Sequence, residues 1–180
     1  FGLGLRLGEA AARELLAEGR LAELREVLRR EEMYAFTVNG FPYGRFHGTA
    51  VKAEVYSPDW RSPQRLDYTV ALARILAELL PEAVPGSIST VPGSYKAWVR
   101  SPDGAAEMAA NLAEAAWQLA RIRRQTRRPI RLALEPEPDC CLETTDEAVA
   151  FFTGPLARTG ADHLRRRHGA RPGEAEAALR

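Results

Sequence analysis

Hydrophobic residues along this chain switch between two spacings, and the switches mark the elements. Residues 1–8, "FGLGLRLG", alternate glycine with larger residues and end on Leu5, Arg6 and Leu7, which predicts a short buried strand. "EAAARELLAEG" then has the Ala, Leu and Glu content of a helix. "LAELREVLRREE" continues with Leu21, Leu24, Val27 and Leu28 at helical spacing and charges on the other face. "MYAFTVNGF" (33–41) is rich in aromatic and β-branched residues and predicts a second strand, stopped by Asn39, Gly40 and Pro42. After a polar and aromatic stretch (42–63), Ser62 and Pro63 open a helix that places Leu66, Val70, Ala73, Leu76 and Leu80 on one face. "GSISTVPGSYKAW" (86–98) begins as a third strand and runs into a loop. "AAEMAANLAEAAWQLARIRRQT" repeats the helical pattern with Met108, Leu112, Leu119 and Ile122, and "PIRLALEPEP" is the fourth strand. "TTDEAVAFF" starts a further helix, with Thr144 and Glu147 at capping-box spacing.

Short apolar strands each followed by an amphipathic helix predict an α/β fold with a parallel sheet and helical crossovers. The glycines at 2, 4 and 8 lie within the first strand, at the wrong spacing for a dinucleotide-binding fingerprint. A (β/α)8 TIM barrel has about 250 residues or more. Four units in 180 residues scale to about twice that length for eight. The expectation is therefore a partial (β/α)8 barrel of about four parallel βα units over residues 1–180, cut at both ends and carrying long loops at one end of the sheet. An open half-sheet has two unpaired edges, so the chain alone is expected to associate or to be poorly stable.

Composition narrows the partners. With 46% hydrophobic and 27% charged residues, the chain is that of a folded globular protein. Twenty-five basic against 24 acidic residues leave a net charge of +1, which gives no global drive toward nucleic acid or anionic membrane. The basic run "RIRRQTRR" (121–128) falls where a helix ends, and cations there favour the helix dipole. No apolar stretch reaches the roughly 20 residues of a membrane span. Cys140 and Cys141 are adjacent, which disfavours a bridge between them and offers no zinc spacing, so a reducing, cytoplasmic compartment is expected.

In parallel barrels the chemistry sits at the C-terminal ends of the strands. After the second strand, "NGFPYGRFHG" gathers Asn39, Tyr43, Arg45 and His47, a mix of rings and hydrogen-bonding groups that suits a small polar ligand such as a sugar or cyclitol. A Gly/Pro-punctuated loop folded on its own aromatics explains the same residues. After the third strand come Tyr95 and Lys96; the lysine can hold an anion as a point charge or be a solvated surface group. After the fourth, "LEPEP" places Glu135 and Glu137 before prolines; Glu137, past the first proline, is a supporting binding candidate beside Glu135 or a solvent-facing residue. Alternation along "RLALE" puts Leu132 and Leu134 on one face and Arg131, Ala133 and Glu135 on the other. Glu135 is thus a candidate metal ligand or general base, against the alternative of a salt bridge to Arg6 or Arg131. His163 and His168, in an arginine-rich helical tail, are expected on a solvated face.

The blocks "FTVNGFPYGRFHG", "VKAEVYSPDW", "RLDYT", "GSISTVPGSYK" and "LALEPEPDCCLETT" resemble the metabolite traffic protein EboE family, of the xylose isomerase-like TIM-barrel superfamily, over nearly the whole chain. The resemblance implies an internal fragment, with strands two to five of the barrel, and a role in moving secondary-metabolite precursors together with other proteins of the metabolite-traffic cluster. It matches Glu135 to the first ligand of a divalent metal, whose further ligands (an Asp, a His and a second Glu in related epimerases) have no counterpart here. Three function classes follow: a metabolite-binding accessory protein, a metal-dependent isomerase or epimerase, and a metal-dependent phosphodiesterase. The last is weakened by the absence of a basic surface suited to DNA.

Overall fold

A computed structural model describes residues 1–17, 19–44, 53–82, 84–101 and 103–179. Strands β1 (Gly2–Arg6), β2 (Tyr34–Asn39), β3 (Gly86–Thr90) and β4 (Ile130–Leu134) form one sheet in the order β1-β2-β3-β4, and every neighbouring pair is parallel. Each parallel step needs a crossover. The crossovers are α1 (Glu9–Leu16) with α2 (Arg20–Arg30), then α3 (Pro63–Leu79), then α4 (Asp103–Thr126). All of them pack on the same side: Ala12, Leu28, Leu72, Leu76, Leu119 and Ile122 share one core with Ala35, Val38, Ile88 and Ile130 of the strands. The other side of the sheet carries exposed Gly2, Gly4, Arg6, Phe36, Asn39, Arg131 and Ala133. One residue pattern therefore builds two unlike faces, an apolar one under the helices and a polar, small-residue one left open.

The β1–β2 ladder slips between Leu3 and Gly4, whose partners are Ala35 and Thr37, so Phe36 is an extra residue on β2. Such a bulge shifts the alternation by one. It explains why Ala35 and Val38, three apart, both face the helices, while Phe36 and Asn39 do not.

Helix α3 differs from the expected one-faced helix. Besides Ala73 and Leu76, it buries Tyr68, Thr69, Leu72, Ile75, Ala77 and Leu79, with Leu80 buried just past its end, and Arg65 is fully buried, whereas Leu66 and Val70 are only half-buried. The reason is position: α3 sits mid-layer between α1 and α4 and over β2 and β3, so more than one stripe is covered. In α4 the expected Met108, Leu112, Leu119 and Ile122 are all buried.

Beyond β4, α5 (Thr145–Phe151) starts with the capping box read from the sequence. The Thr144 hydroxyl accepts from the Glu147 amide (3.2 Å), and the Glu147 carboxylate accepts from the Thr144 amide (2.9 Å). The helix does not stop there. A π-helical segment, Phe152–Gly160, carries it directly into α6 (Ala161–His168), followed by α7 (Pro172–Ala178). Pro155 cannot donate to the carbonyl four residues back, so it disfavours an α-helix at this point; wider π turns accommodate it. Gly160 lets this rod lie against α4, since a Cβ there would stand 3.1 Å from Ala113 Cβ and 3.3 Å from the Ala109 carbonyl oxygen.

That docking corrects the reading of the histidines. His163 and His168 are not on a solvated face; both turn onto Glu114, a buried carboxylate of α4. His168 Nε2 lies 2.7 Å from Glu114 Oε2, and its ring stacks on Trp117 with centroids 5.1 Å apart. A buried carboxylate requires such partners, and only the packing of α6 on α4 brings them. Among the described residues no helix is long and apolar enough to cross a membrane.

Candidate site at the C-terminal end of the sheet

Strand register sets the site. On the open face, Arg6, Asn39, Ser89 and Ala133 are paired across β1 to β4 in one row, with a Thr37–Ser87 hydroxyl contact of 2.8 Å one row below. Glu135 stands one row above Ala133. Its amide donates to the Thr90 carbonyl at 3.0 Å, so the β4 ladder continues through it although the strand formally ends at Leu134. Pro136 holds Glu135 extended. Leu132 and Leu134 enter the core while Arg131 and Ala133 are exposed, which puts Glu135 on the open face by alternation. The residue is half-buried, and its carboxylate makes no hydrogen bond or ion pair among the described residues.

The loops above the sheet are tied to one another. The Asn39 side chain accepts from the Phe41 amide at 3.0 Å, turning the chain sharply after β2. Gly40 lies where a Cβ would meet Leu72 Cδ1 at 2.6 Å and the Ser89 carbonyl at 3.0 Å. Arg65, fully buried, reaches up from α3: Nε donates to the Pro58 carbonyl (2.7 Å), and Nη1 donates to those of Gly40 (2.8 Å) and Phe41 (3.0 Å). The rings of Tyr43 and Tyr68 flank its guanidinium at 5.9 and 5.6 Å. Burial lowers its pKa to about 10, which still leaves it charged at neutral pH.

Between β3 and β4 the two loops zip together. Lys96 donates its amide to the Asp139 carbonyl, Cys141 to that of Ser94, and Leu142 to that of Pro92. Asp59, on the β2 side, accepts from the Ser94 hydroxyl at 2.6 Å and from Arg61 Nη2 at 2.7 Å, while Arg61 Nη1 donates to the Trp98 carbonyl. Aromatic rings bridge the same gap: Phe41 lies edge-on to Tyr56 (5.6 Å), Tyr56 stacks on Tyr95 (5.9 Å), and Tyr95 meets Trp98 edge-on (5.6 Å). Burial and then a hydrogen bond with Cys140 push the Tyr56 phenol up to about 12. Burial likewise lifts the Cys140 thiol to about 11 and raises that of Cys141, so neither cysteine is a thiolate nucleophile at neutral pH.

Not all of the expected binding residues converge on Glu135. Asn39 shares its face of the sheet, and Tyr95 stands in the aromatic ladder beside the β4 loop. Lys96 binds carboxylates of the protein itself, Glu143 at 2.5 Å and Glu147 at 2.8 Å. Its hydrogen bonds raise the Lys96 pKa and hold Glu147 down to about 2. Glu137 is half-buried in the turn to Leu142, with its amide donating to the Leu142 carbonyl. Tyr43 faces away, lining a hollow of about 640 Å³ between α1 and α3 with Glu9, Arg13 and Gln64. Arg45 and His47 lie outside the described residues.

Sequence reasoning missed Arg65, Asp59, Ser94 and Tyr56. Their signal is faint: an arginine at a core position of a helix and an aspartate beside Trp60 look like surface residues until the loops are assembled. For a hard divalent cation such as magnesium or calcium, Glu135 supplies one carboxylate, at most two oxygen donors, whereas such ions take about six or more oxygens. Among the described residues no group of three or more His, Cys, Asp or Glu side chains is placed to hold a metal. These residues do not by themselves form a metal centre. Comparison of the chain with models of protein families, with curated proteins and with solved structures gives no match.

Proposed function

We propose that the chain is part of a (β/α)8-type barrel whose C-terminal face binds a small polar metabolite, of sugar or cyclitol type, with the Glu135 carboxylate as its anchoring acceptor. The observation that carries this reading is the carboxylate itself. It is half-buried at the end of β4, on the polar face of the sheet, and without a partner among the described residues. A partly desolvated carboxylate left unpaired costs free energy, and ligand hydroxyls donating to it recover that cost. Among the described residues, sequential parallel strands with helices on one face, and a small-residue polar face opposite, support the barrel reading. The EboE-like sequence blocks support a role in handing on a secondary-metabolite precursor among partner proteins. In that setting Glu135 would be one ligand of a divalent cation completed by groups outside the described residues.

Saturation-transfer NMR with a panel of pentoses, hexoses and inositols tests the proposal on wild type and Glu135→Gln. A ligand is expected to bind wild type and to weaken about tenfold or more in the variant, the scale of a charge-assisted hydrogen bond. Equal affinity for both proteins removes Glu135 from the site. Conversion of a bound sugar to an epimer or isomer would move the reading from carrier to enzyme.

A further inference from the structure

The helical layer holds a second feature, remote from the C-terminal face and independent of the reading above. Where α4 ends, its last turns and the α6–α7 corner line an open hollow of about 850 Å³. Its rim carries Arg123, Arg124 and Arg127, and Trp117 and His168 form its aromatic wall. Arg127, just past the last turn of α4, takes a left-handed backbone conformation (φ 60°) and donates its amide to the Arg123 carbonyl, which ends the helix.

Among the described residues these three arginines belong to a wider set with no carboxylate within 4 Å, which also includes Arg74, Arg100 and Arg121; what sets them apart is that they share one hollow. Arg13, Arg20, Arg25, Arg29, Arg30, Arg61, Arg165, Arg167 and Arg171 each stand within 4 Å of a carboxylate. Arg123, Arg124 and Arg127 have no carboxylate partner at that range among the described residues; Arg124 lies over the Trp117 ring, at 5.7 Å, and its charge acts on Glu174 from farther off. Among the described residues the single acid of the rim is Glu174; it is taken by Arg171 at 2.7 Å, and that hydrogen bond holds its pKa down to about 2. The end of α4 opposes an anion with about half an elementary charge, against three full guanidinium charges. A concave surface with several unpaired guanidinium groups and a flat aromatic wall matches an anion with many acceptor oxygens.

We propose that this hollow is a binding site for a phosphorylated small molecule carrying at least two phosphate groups. Arg123 and Arg127 contact the phosphate oxygens, and Trp117 fixes Arg124 against the wall.

The test is calorimetric titration of the protein with pyrophosphate, tripolyphosphate and ADP at low and moderate salt, with tryptophan fluorescence in parallel. Saturable one-site binding of at least one probe is expected, weakening with salt. Loss of about tenfold in affinity is expected for each of Arg123→Gln and Arg127→Gln. Arg121→Gln removes the same charge from an exposed position of α4 outside the hollow and is expected to keep wild-type affinity. Preference for ADP over pyrophosphate would identify a nucleotide as the source of the phosphates; equal affinity would identify the bare phosphates. The proposal is overturned by the absence of saturable binding at millimolar probe. Equal losses in Arg121→Gln and Arg123→Gln, or binding of an RNA oligonucleotide with none of the small phosphates, overturn it as well.

Discussion

Replacing Arg65 with methionine tests how the loop after β2 is held. Methionine keeps much of the stem volume but removes the donors to the Gly40, Phe41 and Pro58 carbonyls. Hydrogen bonds from a charged donor contribute about 1.5–3 kcal/mol each, and the carbonyls lose their partner in a buried setting. Against that stands the cost of keeping a charge out of water. A pKa moved from 12.5 to about 10 corresponds to about 3 kcal/mol, which the variant recovers. The balance is a net destabilisation of about 4 kcal/mol, or about 8–16 °C in Tm for a domain of this size. Urea unfolding followed by circular dichroism measures it. Arg65→Lys keeps the charge, but a single ammonium cannot reach carbonyls on two separate segments, so a comparable loss is expected. If Arg65→Met is as stable as wild type or more so, as happens when some buried ions are exchanged for apolar groups, the carbonyl bonds do not hold this loop and the reasoning fails.

Gly40→Ala forces a Cβ to within 2.6 Å of Leu72 Cδ1 and should cost about 1–3 kcal/mol in a urea titration with unchanged slope; an unshifted midpoint would mean that Leu72 rotates away without penalty. Thr144→Ala removes the hydroxyl that caps α5 and should cost about 1 kcal/mol, whereas Thr144→Ser should cost little. For Glu114, burial raises the carboxyl pKa but is outweighed by hydrogen bonds from Gln118 and His168 and by the charges of His168 and Arg167, so the folded value lies below 4.5. A depressed folded pKa contributes stability that is fully present above the unfolded value and is lost as the pH falls through the folded one. Unfolding midpoints measured down from neutral pH should therefore fall less steeply below about pH 5 in Glu114→Gln than in wild type; parallel curves would contradict the assignment.

The candidate site was legible only where it depends on strand periodicity. Glu135 could be assigned to the open face because "RLALE" alternates and a proline follows. Lys96 could not be resolved between anion binder and surface residue. Its partners, Glu143 and Glu147, are 47 and 51 positions away in sequence and meet it only where the β3 loop packs on the start of α5. Tyr43 illustrates the converse: four positions after Asn39 it has already left the sheet's end and turned toward α1 and α3.

By itself the sequence determined the order and type of the strands and main helices, because hydrophobic spacing and capping residues are local properties of the backbone. Tertiary structure alone decided the Phe36 bulge, the continuation of α5 through Pro155 into α6, the burial of Arg65 and the turn of two histidines onto Glu114. Each of these depends on which distant surface comes to lie against a residue. Partners for a buried polar group are recruited across loops rather than along them, and no local pattern encodes that choice.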